Sequence, residues 1–173
     1  MDNTNNQTDT DYKRSVFVDM DGVLADFNGG FQELTGMTNN QVTDEELWNR
    51  IIAHGKAKFF AELNWMSGGK DLWKYVTENF LQTKILSALG KSDITDKQTT
   101  QGKMMWLRKN IPSLPSNDII FVSNKHQKKK YCKPGDIIID DTPSTIEEWM
   151  KKGGVGILHK TASDTITKLK QYV

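Results

Sequence analysis

The residues best suited to chemistry are carboxylates that come in two pairs. Asp19-Met20-Asp21-Gly22 follows one short apolar run, and Asp140-Asp141 follows another, Ile137-Ile138-Ile139. Gly22 makes a turn easy at the first run's end, so that Asp19 and Asp21 can converge on one site. Two close carboxylates repel, which raises one pKa unless a cation compensates. Mg²⁺ suits such a site, because it prefers hard oxygen ligands and readily holds a substrate phosphate. An isolated Asp-x-Asp pair is commonly no more than a loop cap. A second pair ending a neighbouring strand changes that: Asp19, Asp21, Asp140 and Asp141 at one sheet edge make a shared metal site. Between the pairs lie Ser87, which ends the run Ile85-Leu86, and a lysine-rich stretch, Lys125–Lys133. A hydroxyl and an ammonium at that edge could hold phosphoryl oxygens.

Asp19 to Leu24, the Ser at a later strand end, a downstream Lys and the Asp140-Asp141 pair together resemble the four motifs of the haloacid dehalogenase-like (HAD) phosphatases. Val18–Phe31, VDMDGVLADFNGGF, is similar to the opening of the 5'(3')-deoxyribonucleotidases, and Phe59-Phe60-Ala61-Glu62-Leu63 is similar to their lid segment. The resemblance runs in order from about Val16 to Trp149. It implies that Asp19 is the nucleophile, forming an aspartyl-phosphate. Asp21 is then the acid and later the base, while Ser87, a lysine and the Gly22 backbone hold the phosphate. Asp19, Asp21 through its carbonyl, and Asp140 with Asp141 would bind Mg²⁺. Of Lys125, Lys128, Lys129, Lys130 and Lys133, the family spacing to the acidic pair favours Lys130. Phe27, Phe59 and Trp65 are the candidate substrate contacts. Two departures, Leu86-Ser87-Ala88-Leu89 in place of a threonine-serine form and a longer Ser123–Lys129, alter the pocket wall and bear on the substrate more than on the reaction.

These residues need a scaffold that brings several strand ends together. Ser15–Met20, Lys84–Leu89, Asp118–Val122, Asp136–Ile139 and Val155–His159 are short, nearly continuous apolar runs, as buried parallel strands require. Helical patterns alternate with them. Gly102–Asn110 places Met104, Leu107 and then Ile111 on one face, with Pro112 stopping it. Thr142–Lys152 opens with Thr142 as cap and Pro143 at the first helical position, and buries Ile146, Trp149 and Met150. Ser163–Val173 spaces Ile166, Leu169 and Val173 for a last amphipathic helix. The expected fold is α/β, a doubly wound parallel sheet forming a HAD-like Rossmannoid core from 15–27 and 70–173. Residues 28–69 break the rhythm and read as a small helical cap, with a capping box at Thr43–Glu46 and a run of aromatics. Such an insertion would overhang the sheet edge where open α/β sheets bind ligands. Residues 1–14 read as a disordered tail.

Composition narrows the function. With 36% hydrophobic and 26% charged residues and a net charge of +1, nothing draws the chain to nucleic acid or membrane. No apolar run is long enough to span a bilayer. The first residues lack the apolar core of a signal peptide, and Cys132 is the single cysteine; both fit a cytoplasmic setting. His54, His126 and His159 show no zinc spacing. No GxxxxGK[ST] loop is present, which disfavours a triphosphate-driven mechanism. The favoured activity is hydrolysis of (deoxy)ribonucleoside monophosphates. Its rivals are a phosphatase of a phosphosugar or a nucleic-acid 3'-phosphate end, and an idle phospho-ligand-binding protein. Stable nucleic-acid binding is not expected. The oligomeric state stays open, a homodimer included.

Overall fold

The computed structural model describes residues 13–90 and 92–173, so the first twelve positions of the tail expected at 1–14 lie outside the described residues. The apolar runs form strands β1 (Ser15–Val18), β2 (Gln82–Ala88), β3 (Ile119–Val122), β4 (Ile137–Asp140) and β5 (Val155–Leu158). They make one sheet in the order β3-β2-β1-β4-β5, with every pairing parallel. After β3 the chain returns across the sheet to β4. The switch in strand order therefore falls beside β1, where open α/β sheets leave a crevice at the carboxyl ends.

Alternation along the strands feeds two cores. Val16, Val18, Ile85, Ile137 and Ile139 face one side, while Phe17, Leu86 and Ile138 face the other. Each such side chain contributes about 1.5–3 kcal/mol when fully buried. The first side is covered by α4 (Gly69–Asn79), α6 (Gln98–Asn110) and α8 (Ala162–Leu169) through Leu72, Val76, Trp106, Leu107 and Leu169. The second is covered by α7 (Pro143–Lys151), whose Trp149 packs edge-on against Phe17 at 5.1 Å and donates its indole N–H to Asp136 O at 3.0 Å.

Four local expectations need correction, the first being Met150, expected to be buried on α7 but exposed. The buried face of α6 is Thr99, Gly102, Lys103, Trp106 and Leu107, so Met104 is only partly buried. Thr142 precedes α7, but its hydroxyl makes no cap there; it lies 3.4 Å from Asp141 Oδ1 instead. The last helix stops at Leu169 and tightens into a 3-10 turn over Lys170–Tyr172. Helix α4 was not anticipated, because its stripe of Leu72 and Val76 is short. Among the described residues no helix is long and apolar enough to cross a membrane.

The insertion after β1 holds α1 (Phe27–Thr35), α2 (Asp44–His54) and α3 (Lys56–Ala61). Asp26 caps α1 by accepting from Gly29 N, and Thr43 caps α2 by accepting from Glu46 N. The chain enters and leaves this cap side by side. Asp26 N donates to Asn64 O at 2.9 Å, Met66 N donates to Leu24 O at 2.7 Å, and Ala25 bridges Trp65. Helix α3 lies directly on α6, where Gly102 gives it room. A methyl group there would sit 2.5 Å from Ala57 O and 2.7 Å from Phe60 Cβ. Lys56, almost fully buried, ties α3 to the short helix α5 (Asp93–Asp96) through Ser92 Oγ at 2.7 Å and Asp96 Oδ2 at 3.1 Å.

In an ordinary helix Gly→Ala stabilises by about 1 kcal/mol. At Gly102 the backbone carbonyl of Ala57 cannot move aside cheaply, and overpacking should win. Gly102→Ala is expected to destabilise by about 1–3 kcal/mol in urea unfolding; a stabilising result would show that α3 and α6 are not pressed together.

Candidate active site

Three adjacent strands deliver the chemical groups. Val18 pairs with Ile139 and Asp19 N donates to Ile139 O at 3.0 Å, so Asp19 and Asp140 leave β1 and β4 side by side. Ser87 is fully buried near the end of β2. Past Asp19 the chain coils tightly: Val23, Leu24 and Ala25 all donate N–H bonds to Met20 O, and Gly22 N donates to Ala25 O. Gly22 has φ +79°, and a side chain there would fall on the Asp141 carboxylate. Glycine at this turn is thus what lets Asp141 approach Asp19.

Oxygens of Asp19, Asp140 and Asp141 lie within 4.8 Å of one another. Burial, followed by the charge of Asp19, pushes the Asp140 carboxyl above its ordinary range against the pull of Lys128. Burial first, then Asp19 and Asp140, pushes the Asp141 carboxyl up to about 6. All three donors are hard oxygens held close at an energetic cost, which fits a small divalent cation such as Mg²⁺. Asp21 stands apart from this group. Its Oδ2 lies 2.8 Å from Lys103 Nζ, and its Oδ1 is buried with no hydrogen-bond partner. Its carboxylate lies outside the group of Asp19, Asp140 and Asp141, in keeping with the expectation that gave Asp21 a metal contact only through its backbone carbonyl.

Two buried ammoniums face the four carboxylates. Lys128 Nζ lies 2.9 Å from Asp19 Oδ1 and 2.7 Å from Asp140 Oδ2. Burial alone would lower its pKa, but the two carboxylates overcome this and hold it above the usual lysine range. Lys103 Nζ donates to Ser87 Oγ and to Ala88 O, each at 2.8 Å, as well as meeting Asp21. A cavity of about 230 Å³ opens over these groups, lined by Asp19, Asp21, Gly22, Ser87, Lys125 and Lys128, with Phe27 and Asn28 from the cap side.

Phe27 heads an aromatic cluster, with ring centroids 5.3 Å from Phe59, 6.0 Å from Phe60 and 6.1 Å from Trp48. Phe27 lines the acidic cavity; Phe59 instead lines a separate hollow with His54 and Glu62. Trp65 packs on Trp106 at 4.8 Å and donates to Asn110 Oδ1 at 3.0 Å, away from the cavity lining. Phe59 and Trp65 thus support the cap rather than face the site.

Residues 13–168 match the family described as 5' nucleotidase, deoxy (pyrimidine), cytosolic type C protein. The chain belongs to this deoxyribonucleotidase family of HAD phosphatases. Among solved structures it is similar to a hydrolase from Streptococcus pneumoniae TIGR4, with TM-score 0.54 and 15% identity over 91% of this chain and 99% of that one. A HAD family hydrolase from Deinococcus radiodurans R1, with bound phosphate and sodium, gives TM-score 0.49 and 12% identity over 90% and 87% of the two chains. At 15% identity the likeness to the Streptococcus pneumoniae hydrolase is one of fold alone. No curated protein sequence matches significantly.

Family spacing pointed to Lys130, yet Lys130 is exposed and Lys128 occupies the place at the carboxylates. The reason is local. Lys125–Tyr131 forms a 3-10 helix capped by Asn124, and three residues per turn put Lys125 and Lys128 on one side. Counting back from Asp140 cannot detect that turn. Lys103 was missed altogether. Its signal was present, since it lies three residues before Trp106 and four after Thr99 on the buried stripe of α6. A lysine in an apolar stripe is a buried cation seeking a partner.

Asp141 also gives this phosphatase a pH signature. Its pKa is raised from an ordinary 3.8 to about 6 in the fold, so its favourable contribution is full below 3.8 and lost as pH rises through 6. Without a divalent cation, Asp141→Asn is therefore expected to raise the melting temperature above pH 6, with the gain vanishing toward pH 4. Millimolar Mg²⁺ should reverse the order by stabilising the wild type alone. Scanning calorimetry across pH, with and without the ion, checks both signs.

Proposed function

We propose that this chain is a Mg²⁺-dependent phosphomonoesterase that hydrolyses (deoxy)ribonucleoside monophosphates through an aspartyl-phosphate on Asp19. The function rests on one feature: a nucleophile-capable carboxylate, a second carboxylate with an unpartnered oxygen and the buried Lys128 line one cavity, and a second buried lysine, Lys103, backs it through Asp21.

Asp19 Oδ1 is held by Lys128 and by Met20 N at 2.8 Å, which orients the carboxylate at the cavity floor. Its other oxygen attacks phosphorus as the bond to the ester oxygen breaks. The leaving oxygen takes a proton from Asp21, whose unpartnered Oδ1 is the atom suited to hold it. Asp21, now a carboxylate, takes a proton from water; that water attacks the phosphoryl group and frees Asp19 and inorganic phosphate. Ser87 and Lys103 can turn from each other to the phosphoryl oxygens, and Lys128 offsets charge at Asp19. Held by Asp19, Asp140 and Asp141, Mg²⁺ would neutralise the phosphate dianion and the repulsion among the carboxylates. Phe27, on the cap side, offers an aromatic face to the base, with Trp48 and Phe60 behind it.

Phosphate release from 5'- and 3'-nucleotides, phosphosugars and a 3'-phosphorylated oligonucleotide tests this directly. Release from mononucleotides is expected with Mg²⁺ and not with EDTA, and Asp19→Asn should lower kcat by about a thousandfold or more. Phe27→Ala should raise KM for nucleotides by about tenfold and leave a small phosphate ester unaffected. Release confined to sugars or oligonucleotide ends would overturn the substrate class while sparing the chemistry.

A further inference from the structure

The 3-10 helix Lys125–Tyr131 carries Lys128 into the site, yet it is a short run of a poorly bonded helix type, rich in like charges. Its outer side is fastened to α7. His126 Nδ1 lies 2.7 Å from Glu148 Oε1, and Lys129 Nζ lies 3.4 Å from Glu148 Oε2. These two residues stand on either side of the buried Lys128. One carboxylate on a neighbouring helix thus grips the turn both before and after the lysine that reaches Asp19 and Asp140. Hydrogen bonding from His126 first, and then Lys129, holds the Glu148 carboxyl below its ordinary range, so it is anionic at neutral pH. On the inner side Gln127 Oε1 accepts from Ser123 N at 3.3 Å and from Ser123 Oγ at 2.9 Å, which fixes the start of the turn. The chain leaving the turn is anchored by Cys132 Sγ against Trp149 O at 3.6 Å and by Lys133 N donating to Asp136 Oδ2 at 3.1 Å, so Glu148 is the side chain that holds the outer face of the Lys128 segment itself.

We infer that Glu148 is a positioning residue for the phosphatase reaction, holding Lys128 against Asp19 by clamping His126 and Lys129 to α7. The inference rests on the reading of Lys128 as a working part of the site. Glu148 itself touches none of the reacting groups. Its removal lets the turn swing, and Lys128 exchanges its two carboxylates for water.

Glu148→Ala, Glu148→Gln and wild type would be compared in three ways. With Mg²⁺ and the best nucleotide found above, Glu148→Ala should lower kcat by about ten- to hundredfold with little change in KM. Glu148→Gln keeps an acceptor for His126 and should recover most of that loss. The melting temperature should stay within about 2 °C of wild type, because partly exposed ion pairs add little stability. Labelling with acetic anhydride, followed by peptide mass spectrometry, should find Lys128 protected in wild type and reactive in Glu148→Ala. Unchanged kcat together with unchanged protection of Lys128 would overturn the inference, as would a kcat loss matched by a collapse in melting temperature. If wild type hydrolyses no phosphate ester, the proposed activity fails, and the labelling result still decides whether Glu148 positions Lys128.

Discussion

Four carboxylates set against two buried ammoniums leave an excess of negative charge at the carboxyl end of β1, β2 and β4. Much of the surrounding structure is arranged to tolerate this imbalance. Asp140 is completely buried and can be so only because Lys128 is buried with it. Lys103 performs the same service for Asp21 while satisfying Ser87 and a backbone carbonyl at the end of β2. The parallel sheet contributes by placing the ends of neighbouring strands in one plane. The Gly22 turn contributes by leaving room for Asp141. The remaining negative charge is what a divalent cation would offset, and it is kept in place by packing rather than by the ion.

The cap follows from the same geometry. A site with so many polar groups must be partly screened from water for its electrostatics to be strong. The aromatic cluster of Phe27, Trp48, Phe59 and Phe60 closes one side, and Lys103 Nζ lies 5.4 Å from the Phe60 ring centroid. The cap's seat on α6 and the lysine that enters the site from α6 are thus neighbours. Moving that helix would disturb both.

Strand positions were legible because buried parallel strands are short apolar runs, and the two acidic pairs at their ends identified the sheet edge. The lysines were less legible. Lys130 was favoured by linear spacing, but what decides is the pitch of a 3-10 turn, which aims Lys128 inward. Lys103 sat in plain view on a helix read as Met104, Leu107 and Ile111, and its burial depends on Asp21 and Ser87, far away in sequence. Phe59 and Trp65 were picked for being aromatic in the cap. Aromatic type alone does not separate a ring that faces a ligand from one that fills a seam, as Trp65 does against Trp106.

The bridged segments at 24–26 and 64–66 carry a consequence for ancestry and engineering. Because the cap's two ends are hydrogen-bonded neighbours, the core meets it as a short hairpin stub, whatever lies beyond. Closing a longer or shorter insertion on that stub changes the chain entropy only logarithmically. The cap is therefore an exchangeable cassette: its length and contents can diverge while the carboxylate-bearing strands keep their register, and new selectivity can be grafted without rebuilding the catalytic floor.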